Sequence, residues 1–467
     1  MSTLERINNY IKGSATLKLL GVAILALILL WPAGLVDSLI WERQNLRDTA
    51  VDEISSKWGN AQRLAGPIIQ VPFTETTTTV LSDGKETSST RRGAAYFLPE
   101  AVDFEGATIS EERYRGIYVA VLYTADVKVS GHFKPFALDR LDVDTSALDW
   151  SRATLVFGLS DVRGIDKLSS LSFGSQSNEF EPGAPSFGLI PRGFQAPIEL
   201  SPSFAGGEFS FDLNFRGSGT MAFAPLSAET NVSLNSDWGT PKFSGSFLPD
   251  ERTIDDSGFG ASWKILEVNR PIPQEGTIRT AQSDAYNTFG TRGFAEGNNR
   301  ARAGNYDFGV RFLLPVDDYR KISRSAKYSA LFIGATFLTF FFIEVLNRRR
   351  LHPVQYLLVG FAVVLFYVLL LSLSEHIGFN WAYLVSTGLI LGLISGYTAA
   401  VLGNRKLTFL VTSILAILYG FFYSLLQLED YSLLLGSAGL LLALATVMYL
   451  TRKTNWYKLQ TSSEENQ

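Results

Sequence analysis

Apolar residues follow two rhythms along this chain. In the first forty residues and again after about residue 327 they run unbroken for the length of a bilayer-spanning helix, about 20 residues. Between these regions they alternate singly with polar residues. Six long runs predict six spans: Leu19 to Ile40, Tyr328 to Leu346, Val354 to Leu373, Phe379 to Leu402, Leu407 to Leu426 and Tyr431 to Leu450. Arg6, Lys12 and Lys18 precede the first run as in a signal peptide. No good small-residue cleavage site follows, only Val36-Asp37-Ser38, so an uncleaved anchor is expected.

Between the first two spans, Leu46, Ala50, Ile54 and Trp58 recur at helical spacing and predict an amphipathic helix, ended by Gly66-Pro67 and Pro72. Beyond it the period becomes two. In YVAVLYTADVKVSG, Val119, Val121, Tyr123, Ala125, Val127 and Val129 share one face; Phe209, Phe211, Leu213 and Phe215 repeat the pattern, as do Phe308, Val310 and Phe312. These are half-buried strands of antiparallel sheets. Glycine- and asparagine-rich turns separate them, and no helical block intervenes to build a parallel sheet. The predicted fold is a multi-pass α-helical membrane protein of six transmembrane helices with a large all-β or β-rich domain inserted between the first and second. Residues 1–40 form the N-terminal tail and first span, 41–327 the β-rich domain, 328–450 a five-helix bundle and 451–467 the C-terminal tail.

Charge supplies the orientation. Arg6, Lys12, Lys18, Arg348, Arg349, Arg350, Arg405, Lys406, Arg452, Lys453 and Lys458 all fall in one set of short loops and tails. The opposite short loops, Ser374 to Gly378 and Gln427 to Asp430, have no lysine or arginine, which predicts both termini in the cytoplasm. Arg320, Lys321, Arg324 and Lys327 violate the pattern, but long translocated domains are exempt from it. Only 18% of residues are charged and the net charge is -4, so nothing resembles a nucleic-acid-binding stripe. With no cysteine, disulfides and thiolate chemistry are excluded.

Catalytic signatures are missing: there is no GxxxxGK phosphate loop, no HExxH, no GxSxG elbow and no strand-to-helix GxGxxG. The predicted topology separates His352 from His132 and His376, so no three-histidine metal site and no cofactor are expected. Four features remain as candidates. Glu344 is embedded near the end of the second span, where it marks an ion pathway or, with Arg348 one turn on, a snorkelling helix pair. Glu375 and His376 sit together in a short outer loop, as a helix cap, a docking contact or an acid–base pair. Gly388, Gly392 and Gly396 line one face of the fourth span, a surface for close packing within the bundle or between copies, or the wall of a conduit. The sixth span repeats this spacing with Ser432, Gly436, Gly439 and Ala443.

The runs HPVQYLLVGFAVVLFYVLLLSLSEHIGFNWAYL (His352 to Leu384), LYGFFYSLLQLEDYSLLLGS (Leu418 to Ser437) and VMYLTRKTNWY (Val447 to Tyr457) resemble the bacterial inner-membrane CreD family. So do RGSGTMAFAPLSAETNVSLNSDWGTPKFSGSFLPD (Arg216 to Asp250) and VDDYRKISRSAKYSALFIG (Val316 to Gly334). Asn455 departs from the aspartate the family commonly carries there. The resemblance implies a multi-pass inner-membrane protein with a periplasmic loop, under control of the CreBC two-component system. It also implies a role in cell-envelope integrity, in tolerance to a nuclease colicin and in responses to β-lactams, with no catalytic residues to carry over. The expected partners are the lipid bilayer, an envelope protein or glycan, and a second copy of the chain. The expected function is non-enzymatic; a transporter or channel is the alternative, and an enzyme acting on lipid or peptidoglycan a third reading.

Overall fold

The computed structural model describes residues 15–80, 86–183, 190, 192–279, 306–314, 318–347, 351–428 and 431–452. The chain divides into two compact units, Met1–Arg47 with Val316–Gln467, and Asp48–Pro315.

Alternation in the second unit produces two packed sheets. In one, the long strand β1 (Gln62–Val80) pairs antiparallel with β2 (Glu86–Phe97) and with strand Thr154–Leu159. In the other, β3 (Ala101–Arg115) and β4 (Tyr118–Phe133) form a hairpin through Gly116, whose φ of 61° suits the tight turn. Strand Gly207–Ser218 then pairs along its whole length with Leu122 to Phe133 of β4. The inward residues of both sheets meet in one core. Phe104 lies 5.3 Å from Phe223, Phe157 5.1 Å from Phe211, Tyr123 4.8 Å from Phe312 and Trp263 5.7 Å from Phe308, ring centre to ring centre, each pair joining opposite sheets. Burying each such ring contributes roughly 1.5–3 kcal/mol. In a chain without cysteine, this aromatic core holds the sandwich together.

Two expectations for this unit are corrected. The sheets are mixed: residues Gln62 to Ala65 of β1 run parallel to Met221 to Ala224, and β3 runs parallel to strand Glu229–Ser236. Parallel neighbours here are brought together by distant parts of the chain, which a search for intervening helices cannot detect. Gly66-Pro67 and Pro72 also do not end the helix, which stops at Trp58; both prolines lie inside β1. Pro67 falls where the ladder with strand Thr154–Leu159 shifts register, so its missing N–H costs no ladder bond there.

The first unit is helical. Helix α1 (Ala15–Trp58) joins the predicted first span and amphipathic helix into one element containing Pro32. After the β unit come α2 (Asp318–Lys327), α3 (Ser329–Leu346), α4 (Pro353–Leu402), α5 (Arg405–Gln427) and α6 (Ser432–Thr451). Among the described residues, four helices are long and apolar enough to cross a membrane, or five if α2 and α3, bent by 48°, count as one span. Helix α4 spans 50 residues but is interrupted by Gly378, whose φ of 72° and ψ of 160° are not helical. A buried cluster including Leu29, Phe332, Phe337, Val363, Phe366, Ala382, Ile390 and Leu415 forms its core. Leu433, Leu434, Leu441 and Leu442 of α6 stay exposed, an apolar exterior suited to lipid.

Candidate functional site

Two clusters of charged side chains lie within the helical unit, one around Glu344 and one around Glu375. Near the start of α1, Lys18 Nζ donates to Glu344 Oε1 of α3 at 2.9 Å. Tyr356 of α4 donates its hydroxyl to Glu344 Oε2 at 2.8 Å. Both carboxylate oxygens are thus engaged, and the glutamate is only 4% exposed. A carboxylate at this depth is costly to desolvate and persists where a cation and hydrogen-bond donors compensate it. Arg348, the partner that helical spacing offers Glu344, lies outside the described residues; Lys18 and Tyr356 are partners that the sequence does not reveal. The signal was present, because Lys18 begins the first span on the same side as the end of α3. Its partner was legible only to someone who knew that α1 packs beside α3.

Near the middle of α4, just before its break, Glu375 and His376 are helical residues, not part of a five-residue loop as expected; the chain leaves helical geometry only at Gly378. Successive helical side chains diverge around the axis, so the two point apart. The Glu375 side chain is 8% exposed, accepts from the Tyr319 hydroxyl of α2 at 2.8 Å, and lies 3.8 Å from an Arg43 guanidinium nitrogen of α1. Arg47 stacks over the Tyr319 ring at 5.4 Å. His376 is exposed, with Nδ1 3.2 Å from its own-helix carbonyl at Ser372. Glu375 therefore ties three helices together, whereas the hydrogen bond of His376 stays within its own helix. His352 caps α4, accepting from the Val354 amide, while Gln355 accepts from the His352 amide.

Gly388, Gly392 and Gly396 face outward, and a β-carbon at any of them would meet nothing within 4 Å. The glycine stripe does not pack inside this chain. Close approach happens elsewhere: Gly360 of α4 admits Leu29 of α1 and the Phe337 ring of α3, and Gly439 of α6 lies under the Phe421 ring of α5.

The β unit holds a second polar network that no motif announced. The Gln62 amide, 1% exposed, donates to the carbonyls of Asp161 and Arg216 and accepts from the Asp161 amide. Asp161 accepts from Asn60 and, bidentately, from Arg163. The Arg163 guanidinium holds the Asp161 carboxyl down at about 2. Trp58, the last residue of α1, lies 4.7 Å from the Arg216 guanidinium and donates to the Tyr123 carbonyl at 3.3 Å. On the outer face of the β3–β4 sheet is a shallow groove of about 770 Å³, lined by Glu105, Asp126, Lys128, Lys167, Asp212 and Asn235 among others. Among the described residues, no group of three or more carboxylates and histidines could hold a metal.

Comparison with known proteins places this architecture. The family model described as inner membrane protein CreD matches residues 14–457. The inner membrane protein CreD of Escherichia coli (strain K12) is 34% identical over 435 residues, covering 92% of this chain and 91% of its own. The chain belongs to the CreD family. Among solved structures, an M1 zinc metallopeptidase from Deinococcus radiodurans is 9% identical over 39% of this chain and 41% of its own, at a TM-score of 0.19. A variant of that peptidase bound to a Tyr-Ser-Ala substrate covers 68% of this chain and 86% of its own, at a TM-score of 0.20 and 10% identity. Likeness of that order carries no argument about the fold or chemistry of this CreD-family protein.

Proposed function

We propose that this CreD-family chain is a six-span inner-membrane protein that displays its β unit in the periplasm to bind an envelope partner, with both termini in the cytoplasm. The six-span reading is supported by α4. Unbroken, 50 residues would make a helix of about 75 Å, more than twice a hydrocarbon core of about 30 Å. Divided at Gly378, it forms two spans. The observation that carries the binding role is the groove over the β3–β4 sheet, whose carboxylates, amides and lysines suit a hydroxyl- or amide-rich ligand. A glycan and a polar protein surface both meet that description.

In-cell photo-crosslinking from Lys128 and Asn235 of the full chain tests this. Recovery of one defined envelope protein or glycan supports it; adducts to lipid alone overturn it.

The transport reading draws support from Glu344 between Lys18 and Tyr356, a buried carboxylate of the kind that marks ion pathways. Full retention of envelope tolerance by Glu344→Gln, with expression checked, removes its best residue.

A further inference from the structure

Hydroxyl groups within an apolar bundle have few ways to be satisfied. Serine and threonine usually bond a carbonyl of the preceding turn. Several here do so: Thr339 donates to the Ala335 carbonyl, Thr412 to Thr408, Ser424 to Gly420 and Thr446 to Leu442. Five hydroxyls in the core behave differently. Thr336 of α3, Tyr367, Ser386 and Thr398 of α4 and Tyr419 of α5 are each 0–1% exposed, yet their oxygens have no hydrogen-bond partner among the described residues.

Two of them, Tyr367 and Tyr419, stand in one aromatic cluster, and Thr336 and Ser386 lie about one helical turn from its members. The Phe366 ring lies 5.1 Å from that of Tyr367, 5.4 Å from Tyr383 and 5.0 Å from Tyr419. Tyr383 donates to the Tyr419 carbonyl at 2.8 Å. Ser386 follows Tyr383 by about one helical turn. Thr336 follows Phe332 by one turn, and the Phe332 ring lies 4.6 Å from Tyr419 and 6.2 Å from Tyr367. Three helices thus carry unsatisfied hydroxyls in this cluster or one turn from it.

We infer that this hydroxyl cluster is a binding site for water, held in the middle of the helical unit by Thr336, Tyr367, Ser386 and Tyr419. Buried water takes two to four polar partners, and a cluster of hydroxyls able both to donate and to accept supplies them. None of the residues named in the cluster carries a charge with which to recognise an ion, and hydroxyls that both donate and accept suit water. The inference does not depend on what the β unit binds or on whether the bundle transports anything.

Hydroxyl-radical footprinting of the full chain in lipid nanodiscs tests it, since radiolysis of a bound water labels the side chains that hold it. Tyr367 and Tyr419 are expected to be oxidised while their neighbours Phe332 and Phe366 stay unmodified. The isosteric variants Tyr367→Phe and Tyr419→Phe give a second measurement. Removing a hydroxyl that bonds water lowers the melting temperature, by about 2 °C. Removing a dry hydroxyl relieves an unsatisfied group and raises it. Protection of both tyrosines equal to that of the two phenylalanines, or a rise in melting temperature for both variants, overturns the site.

Discussion

Lys18 and Glu344 are 326 positions apart in sequence and 2.9 Å apart in space. The pair fastens the first helix of the unit to one that follows the whole β insertion. The two side chains are unequally placed: Lys18 is 29% exposed and can turn toward water, whereas Glu344 is 4% exposed and cannot.

Lys18→Met should therefore be the more damaging single change. It strands a buried carboxylate with only the Tyr356 hydroxyl, at a cost of about 3–5 kcal/mol. Glu344→Gln leaves a neutral amide and a lysine free to find solvent, and should cost no more than about 1–2 kcal/mol. The double variant should be more stable than Lys18→Met. Thermal unfolding of the purified full chain ranks the three; equal losses for both single variants contradict this account.

Glu375 and His376 are neighbours in sequence with different work. Tyr319→Phe removes one hydrogen bond to a buried carboxylate and should cost about 1–2 kcal/mol. His376→Ala should fall within about 0.5 kcal/mol of the parent, since its hydrogen bond stays within its own helix. A functional loss with His376→Ala at unchanged stability would point instead to a docking role for the exposed imidazole.

The two kinds of glycine in α4 can be separated in the same way. Gly360→Val drives methyl groups into Leu29 and Phe337 and should cost about 1–3 kcal/mol. Gly392→Val meets no atom of the chain and should leave monomer stability nearly unchanged. Native mass spectrometry of Gly392→Val then asks whether the stripe packs against a second copy: loss of an oligomer seen for the parent answers yes.

The Asp161 site gives a pH dependence. Its carboxyl ionises more readily in the folded chain than in the unfolded one, because the Arg163 guanidinium bonds the charged form. Its contribution is present above the unfolded value of about 3.9 and is lost as pH falls through about 2. Asp161→Asn should be less stable than the parent at pH 5, and the gap should narrow steadily toward pH 2. A gap that stays constant across that window excludes the carboxylate as its source.

The apolar helices and the strands were legible because each rests on a local period. Apolar runs of bilayer length and strict alternation leave a mark in any window of residues, and 118–133 and 207–218 fold as that mark predicts. The partners of the candidate residues were not legible. Helical spacing is the only proximity a sequence displays, so it offers Arg348 to Glu344 and is blind to Lys18 and Tyr356. The helix through Glu375 and His376 was hidden for a related reason: charged residues between apolar runs read as a loop, although Arg43 and Tyr319 allow the glutamate to remain in a helix. The buried network of Gln62, Asp161 and Arg163 left no mark at all, since it joins segments about a hundred residues apart.

Sequence alone determined that this chain has apolar helices fit for a membrane, a β-rich insertion, no thiol chemistry and membership of the CreD family. Each of these depends on residue type and spacing, which short-range hydrophobic patterning specifies. Tertiary structure decided which charge neutralises Glu344, which glycines are packed and which are bare, where the sheets run parallel, and that five core hydroxyls find no partner among the described residues. Those outcomes depend on which distant segments meet, and hydrogen bonds and close packing act over a few ångströms of space whatever the separation along the chain.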